Sequence, residues 1–260
     1  MQIWQAFILG IIEGLTEFLP ISSTFHLIFV SQFLNITNSN FLKVFEVFIQ
    51  SGAILAVLFL YGKELWTDRS LIKKLILSFI PTAIIGFLFH SIIKNLFFET
   101  NWLMLTAFIS VGIIFILYEK RLKNKAKNVD KEIKDLNNSQ SLLIGLGQAV
   151  AVIPGVSRSG AVMLTMMAIG QSRAQAAKYS FLLAVPTICS AAALDILKLS
   201  SSTAISSQEI ILLLVGFGTA FIVSLTVLKW FISFIQKHTL VNFGVYRLII
   251  GFVLILIQVL

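Results

Sequence analysis

Four ionisable side chains of this 260-residue sequence, Glu13, Glu17, His26 and Arg158, lie inside strongly apolar stretches. At that depth a charge is costly and marks function by default. Glu13 and Glu17 are spaced i, i+4, so on a helix they share one face, about 6 Å apart along the axis. In low dielectric the two carboxylates repel unless a cation or a shared proton sits between them. The pair suits a hard divalent metal held by oxygens and retained waters, and the alternative is two acids facing a wet vestibule. Ser22, Ser23 and Thr24 follow Pro20 as N-cap residues. Their hydroxyls and the free N–H groups of a helix start form an anion site, for phosphate above all, although capping alone would use the same residues. His26 has the chemistry of an acid, base or nucleophile near neutral pH, or else a structural role. Arg158 stands between Ser157 and Ser159, flanked by Gly155 and Gly160. Its planar fork matches phosphate and the glycines allow close approach, the alternative being a structural ion pair with Glu13 or Glu17. Together these groups suit hydrolysis of a phosphoric anhydride: metal and arginine neutralise charge while a hydroxyl or water attacks phosphorus.

Two stretches must hold them, 2–34 and 141–171. Each is apolar but interrupted near its middle, by Pro20-Ile21-Ser22-Ser23-Thr24 and by Pro154-Gly155-Val156-Ser157-Arg158-Ser159-Gly160. The halves are too short to cross a bilayer, and broken backbone at membrane depth must be buried in protein or line a wet cavity. Both stretches therefore read as re-entrant helix–loop–helix hairpins, with a kinked full-length span as the alternative. Six further stretches are long enough to span: 43–61, 75–94, 102–119, 179–198, 209–229 and 244–260. Charged residues make up 12% of the chain, about half the share of a soluble domain, and 57% of residues are hydrophobic. An ordinary cytosolic enzyme, a disordered chain and a secreted disulfide scaffold are excluded, and the single Cys189 forms no internal bridge.

The net charge of +8 is distributed as topology, not as a nucleic-acid surface. With 120–141 inside, that loop carries Lys120, Arg121, Lys123, Lys125, Lys127, Lys131 and Lys134. The other inside segments, 62–74, 171–178 and 229–247, add Lys63, Arg69, Lys73, Lys74, Arg173, Lys178, Lys229, Lys237 and Arg247. Only Lys43, Lys94 and Lys198 fall outside, and both termini are placed outside. The start, Met1-Gln2-Ile3-Trp4-Gln5, lacks a basic n-region, so no signal peptide is expected. A shift of 135 residues lays Ile8-Leu9-Gly10 on Leu143-Ile144-Gly145, Glu13 on Gln148, and Ser22-Ser23-Thr24 on Ser157-Arg158-Ser159. The expected organisation is one membrane domain, 1–260: a first inverted repeat (1–119), a polar cytoplasmic connector (120–140) and a second inverted repeat (141–260). Such repeats meet near the midplane and build their site there. The fold class expected is all-α, six transmembrane helices plus two re-entrant helical hairpins in an inverted-topology repeat. Glu46 and Gln50 are weaker candidates to support a metal. His90, His238 and Asp195 sit near span ends, where interface solvation accounts for them.

The segment Glu13-Gly14-Leu15-Thr16-Glu17-Phe18-Leu19-Pro20-Ile21-Ser22-Ser23-Thr24, followed by His26, resembles the first signature of the bacitracin-resistance type undecaprenyl-diphosphate phosphatases. Pro154 to Gly160 resembles the second, and Phe45–Gln50, Ser180–Pro186 and Ala193–Asp195 extend the likeness over nearly the whole chain. The resemblance implies an integral membrane enzyme that removes the terminal phosphate of undecaprenyl diphosphate, recycling the cell-wall lipid carrier and conferring bacitracin resistance. It implies a divalent cation (Mg2+ or Ca2+) and a bacterial inner membrane location, with the site open to the outer side. By position, Glu17, His26 and Arg158 carry the family's chemistry, with Glu13, Ser23 and Ser157 beside them. Ser23 is favoured as nucleophile with His26 as its acid/base partner, and His26 as nucleophile stays open. Glu13 and Glu17 are expected to hold the metal, and Ser22, Thr24, Ser157, Ser159 and Gly155 to bind substrate. The partners expected are a polyprenyl diphosphate and membrane lipids, not nucleic acid, with a homodimer left open. Phe25 departs from the pattern where the family usually has Gly, limiting backbone approach beside His26. Val162 departs where the second motif usually ends in Thr, removing a hydroxyl one turn beyond Arg158. A lipid transporter or flippase, and a non-catalytic binder of polyprenyl phosphates, are the competing readings.

Overall fold

The computed structural model describes residues 1–98, 101–123, 132–198 and 206–259, with side chains at 1–89, 102–122, 132–194 and 206–257. His90 and Asp195 lie outside the described side chains. The described residues form ten α-helices: α1 (Ile3–Thr16), α2 (Ser23–Phe33), α3 (Asn40–Thr67), α4 (Arg69–Phe98), α5 (Asn101–Lys123), α6 (Asn138–Ala149), α7 (Arg158–Ala168), α8 (Arg173–Lys198), α9 (Ser207–Lys237) and α10 (Val241–Val259). Five of them, α3, α4, α5, α8 and α9, are long and apolar enough to cross a membrane, and α1 and α10 are shorter apolar helices. The protein is all-helical and multi-pass. Its outer surface carries large apolar side chains such as Phe33, Phe59, Phe87, Leu88 and Ile222, as lipid contact requires. Trp4, Trp66 and Trp102, all exposed, stand within two residues of helix ends, where amphipathic rings meet the headgroups.

Close helix packing is set by glycines. A Cβ on Gly10 would sit 2.6 Å from the Gly216 carbonyl, and one on Gly14 2.8 Å from that of Ala220, so α1 lies directly on α9. Gly145 presses α6 onto α4 at Ser78 and Pro81, and Gly112 faces Gly244 where α5 meets α10. Residues separated by 135 positions share more than sequence. Ser22 (φ 68°) and Ser157 (φ 77°) both take left-handed backbone, as do Asn35 (φ 52°) and Gly170 (φ 93°). The turns closing α2 and α7 also coincide: Ile36 N–H donates to Ser31 O, and Gln171 N–H to Met166 O.

The breaks in the hairpins have a local cause. Proline's ring denies the helix the carbonyl four residues earlier. Accordingly α1 stops at Thr16, four before Pro20, instead of running to the proline itself. Likewise α6 gives way at Val150, four before Pro154, to a 3₁₀ turn over Val150–Val152. Glu17 thus caps α1 (φ −61°, ψ −42°) and still shares the buried face with Glu13. At the end opposite the hairpin loops, buried Glu119 accepts from Arg173 Nε (2.8 Å) and from the Leu240 N–H (3.0 Å), joining α5, α8 and the α9–α10 turn. One topology residue is reassigned. Arg247 is fully buried in the body of α10, two turns from its start, and does not belong to an inside loop.

Candidate active site

The two hairpin loops touch. Ser159 Oγ, at the start of α7, donates to Leu19 O of the first loop at 2.8 Å. Around that contact a hydrogen-bonded chain crosses from one hairpin to the other. Ser23 Oγ donates to Glu17 Oε2 (2.5 Å), and Arg158 Nη2 donates to Glu17 Oε1 (2.7 Å). Arg158 Nη1 donates to Ser180 O (2.7 Å) and Ser180 Oγ (3.3 Å). Arg158 Nε, also buried, has no partner among the described residues. Ser157 Oγ lies 3.1 Å from Ser159 Oγ and caps α7 by accepting from Gly160 N–H. Ser22 precedes α2 as N-cap but makes no side-chain cap bond. The helix starts of α2 and α7 therefore both open on this cluster, each from a serine in a conformation that costs about 1–3 kcal/mol and persists only when its surroundings enforce it.

Glu13 is fully buried, and neither carboxylate oxygen finds a hydrogen-bond donor among the described residues. Glu17 follows it by one turn on the same buried face, and neither Glu46 nor Gln50 makes a side-chain hydrogen bond among the described residues. A buried carboxylate without a donor calls for a cation or a proton. Among the described residues no three His, Cys, Asp or Glu side chains gather into a metal cage. Glu13 and Glu17 still fit a hard divalent ion of the kind that keeps several waters and completes its shell with phosphate oxygens.

His26 is turned away from Ser23. Its Nδ1 lies 2.8 Å from Ser22 O and its Nε2 2.8 Å from the Tyr246 hydroxyl. A carbonyl only accepts, so Nδ1 carries the proton and Tyr246 donates to Nε2. The expected Ser23–His26 pair is thus not formed, and Ser23 is served by Glu17 instead. Of the expected binding residues, Thr24 is half-buried without a described partner. Gly155 (φ 94°) offers its carbonyl to an arginine and packs its Cα face on the Met104 carbonyl, where a Cβ would not fit. Phe25 is directed into a buried cluster, its ring 3.8 Å from that of Phe108 and parallel to it. Val162 is core. Neither departure displaces a site group. His238 is exposed and stacked on Phe234.

Sequence reasoning missed two residues, Tyr246 and Arg247. The Arg247 guanidinium donates to Phe108 O (2.8 Å), Pro20 O (3.0 Å), Gly155 O (2.5 Å) and Val156 O (3.4 Å), and lies over the Phe108 ring. One side chain thereby satisfies carbonyls of both irregular loops and fixes one against the other. The available signal was an arginine inside the apolar run 241–259, an anomaly that its place near the end of α9 disguised as a loop charge.

Fold and cluster together define a polytopic membrane protein built around a buried site of carboxylates, hydroxyls and one guanidinium with an unsatisfied donor. Residues 6–253 match the family of bacitracin resistance protein BacA, and the chain belongs to that family. Among its relatives, a protein of Persephonella marina is 45% identical over 256 residues, covering 98% of this chain and 99% of its own. One of Aquifex aeolicus is 43% identical over 253 residues, covering 97% of each, and one of Methanococcus aeolicus 43% identical over 256 residues, covering 98% of each. All three are named undecaprenyl-diphosphatase.

Proposed function

We propose that this chain is an undecaprenyl-diphosphate phosphatase, releasing the terminal phosphate to leave undecaprenyl phosphate and so recycling the lipid carrier and conferring bacitracin resistance. The single observation that carries the reading is the Ser23–Glu17–Arg158 chain across the two hairpin loops. Arg158 keeps one donor, Nε, without a partner and shares another with Glu17. Terminal phosphate oxygens arriving at the helix starts of α2 and α7 take over the fork from Glu17. The freed carboxylate accepts the Ser23 proton as Oγ attacks phosphorus. The bond to the bridging oxygen breaks and undecaprenyl phosphate leaves. Water then attacks the phosphoserine, phosphate departs, and Oγ regains its proton from Glu17. A divalent cation (Mg2+ or Ca2+) would be held by Glu13 and by the Glu17 oxygen that does not take the Ser23 proton, and would supply charge neutralisation at the phosphate. Ser157, Ser159, Ser22 and Thr24 offer hydroxyls beside the same anion. Ser23 is favoured over His26 as nucleophile because its hydroxyl is on a carboxylate, while both imidazole nitrogens are engaged.

The full architecture proposed is six transmembrane helices, with α10 as the sixth, and two re-entrant hairpins in an inverted repeat. The matched backbone at Ser22/Ser157 and Asn35/Gly170 supports it. The family implies the bacterial inner membrane with the site open to the outer side, and the basic residues around 120–141 support placing that connector inside. The repeat also suits lipid translocation, which would move lipid without releasing phosphate. Phosphate release by detergent-purified protein from undecaprenyl diphosphate, with Mg2+ or Ca2+, with chelator and with Arg158→Ala, is the test. Metal-dependent release that the variant abolishes is expected. A well-folded wild type that releases none would reject hydrolysis.

A further inference from the structure

Arg158 and Arg173 each meet one buried carboxylate, and they meet it differently. Arg173 gives both donors of one guanidinium edge to Glu119, Nε to Oε1 (2.8 Å) and Nη2 to Oε2 (2.5 Å). Arg158 gives Glu17 only the Nη2 of that edge, and its Nε has no partner among the described residues. Two contacts keep the edge half open. Ser23 occupies the second oxygen of Glu17. Nη1, which is not part of the edge, is held by the carbonyl (2.7 Å) and the hydroxyl (3.3 Å) of Ser180, fully buried on α8. An arginine buried only to be satisfied would spread its donors over the acceptors at hand. Here one nitrogen has two acceptors while another has none, so the fork is aimed. Because the guanidinium is planar and rigid, fixing Nη1 fixes the direction of the Nε–Nη2 edge.

We propose that Ser180 is a positioning residue for Arg158: by holding Nη1 it turns the Nε–Nη2 edge towards the anion. The assignment rests on the hydrolase reading. Phosphate oxygens arriving at that edge find Nε open and displace Glu17 from Nη2 alone. The contact so formed is the two-pronged one that Arg173 makes with Glu119.

Ser180→Ala removes the hydroxyl and leaves the carbonyl. With undecaprenyl diphosphate and folded protein, kcat/KM is expected to fall about tenfold, the low end for a hydrogen bond to a charged group. The inhibition constant for inorganic phosphate should rise by a similar factor, since one edge receives both substrate and product. In an Arg158→Lys background the same substitution should cost less than about twofold, because an ammonium has no edge to orient. A serine needed only for packing would instead lower kcat/KM by the same factor in both backgrounds and leave the phosphate constant unchanged, and that result overturns the assignment. So does a Ser180→Ala enzyme with the wild-type kcat/KM. Turnover by the wild type in the same assay separates the two claims. Phosphate release with an indifferent Ser180 rejects this inference alone, and a folded wild type that releases none rejects both.

Discussion

The two hairpins place the same backbone around different chemistry. Position 13 of the first is a buried glutamate with no donor on either oxygen; its counterpart 135 residues on, Gln148, is equally buried but satisfied, donating to Thr82 Oγ1 (2.9 Å) and Thr187 Oγ1 (3.2 Å). Positions 17, 23 and 26 of the first hairpin are acid, hydroxyl and imidazole. The second presents Val152, Arg158 and Ala161. On the proposed reading the two hairpins divide the work: the first supplies the acids and the attacking group, the second the guanidinium that receives the anion. Stability is sacrificed where chemistry is needed and regained in the copy freed from it.

Substitutions at matched positions break or sharpen this contrast. Arg158→Ala should lower kcat/KM about 10³-fold or more, by removing the bidentate anion contact and leaving Glu17 buried without its cation; steady-state phosphate release measures it. Arg247→Met should unfold the loops before it affects chemistry. Stranding carbonyls of two loops and of α5 costs about 3–5 kcal/mol, read as a lowered melting temperature in detergent. Glu13→Gln should cut activity at least about tenfold yet hold or raise the melting temperature, because it removes a buried charge with no donor. Gln148→Leu should do the reverse, leaving Thr82 and Thr187 short of a partner for about 1–2 kcal/mol while activity per folded molecule is kept. Equal behaviour of the last two variants would erase the division.

Most of the site was legible because charge inside an apolar run is conspicuous. Glu13, Glu17, His26 and Arg158 needed only their surroundings to stand out, and the serines only their place after a proline. Five of the six expected spans followed from apolar length, the stretch 244–260 lying in a shorter apolar helix. The boundaries were less visible: α3 runs past the expected 43–61 to Asn40–Thr67, and Pro20 acts four residues ahead of itself at Thr16. Hydrogen-bond partners were hidden because they are products of tertiary contact. Ser23 and His26 are three residues apart, yet the hydroxyl is on Glu17 and the ring on Tyr246, 220 positions away. Arg247 misled for a related reason, since a count of basic residues does not distinguish a lysine in a loop from an arginine bound to Pro20, Gly155 and Val156.

The central claim is that Glu17 and Arg158 work as one unit across the two hairpins. A double-mutant cycle on kcat/KM for undecaprenyl diphosphate, with Glu17→Gln, Arg158→Lys and the double variant compared as folded protein, tests it most directly. Each single substitution is predicted to cost about 10²–10³-fold and the pair together little more than either alone, as for groups that act as a unit. Losses that multiply, or a single variant with wild-type turnover, would contradict it.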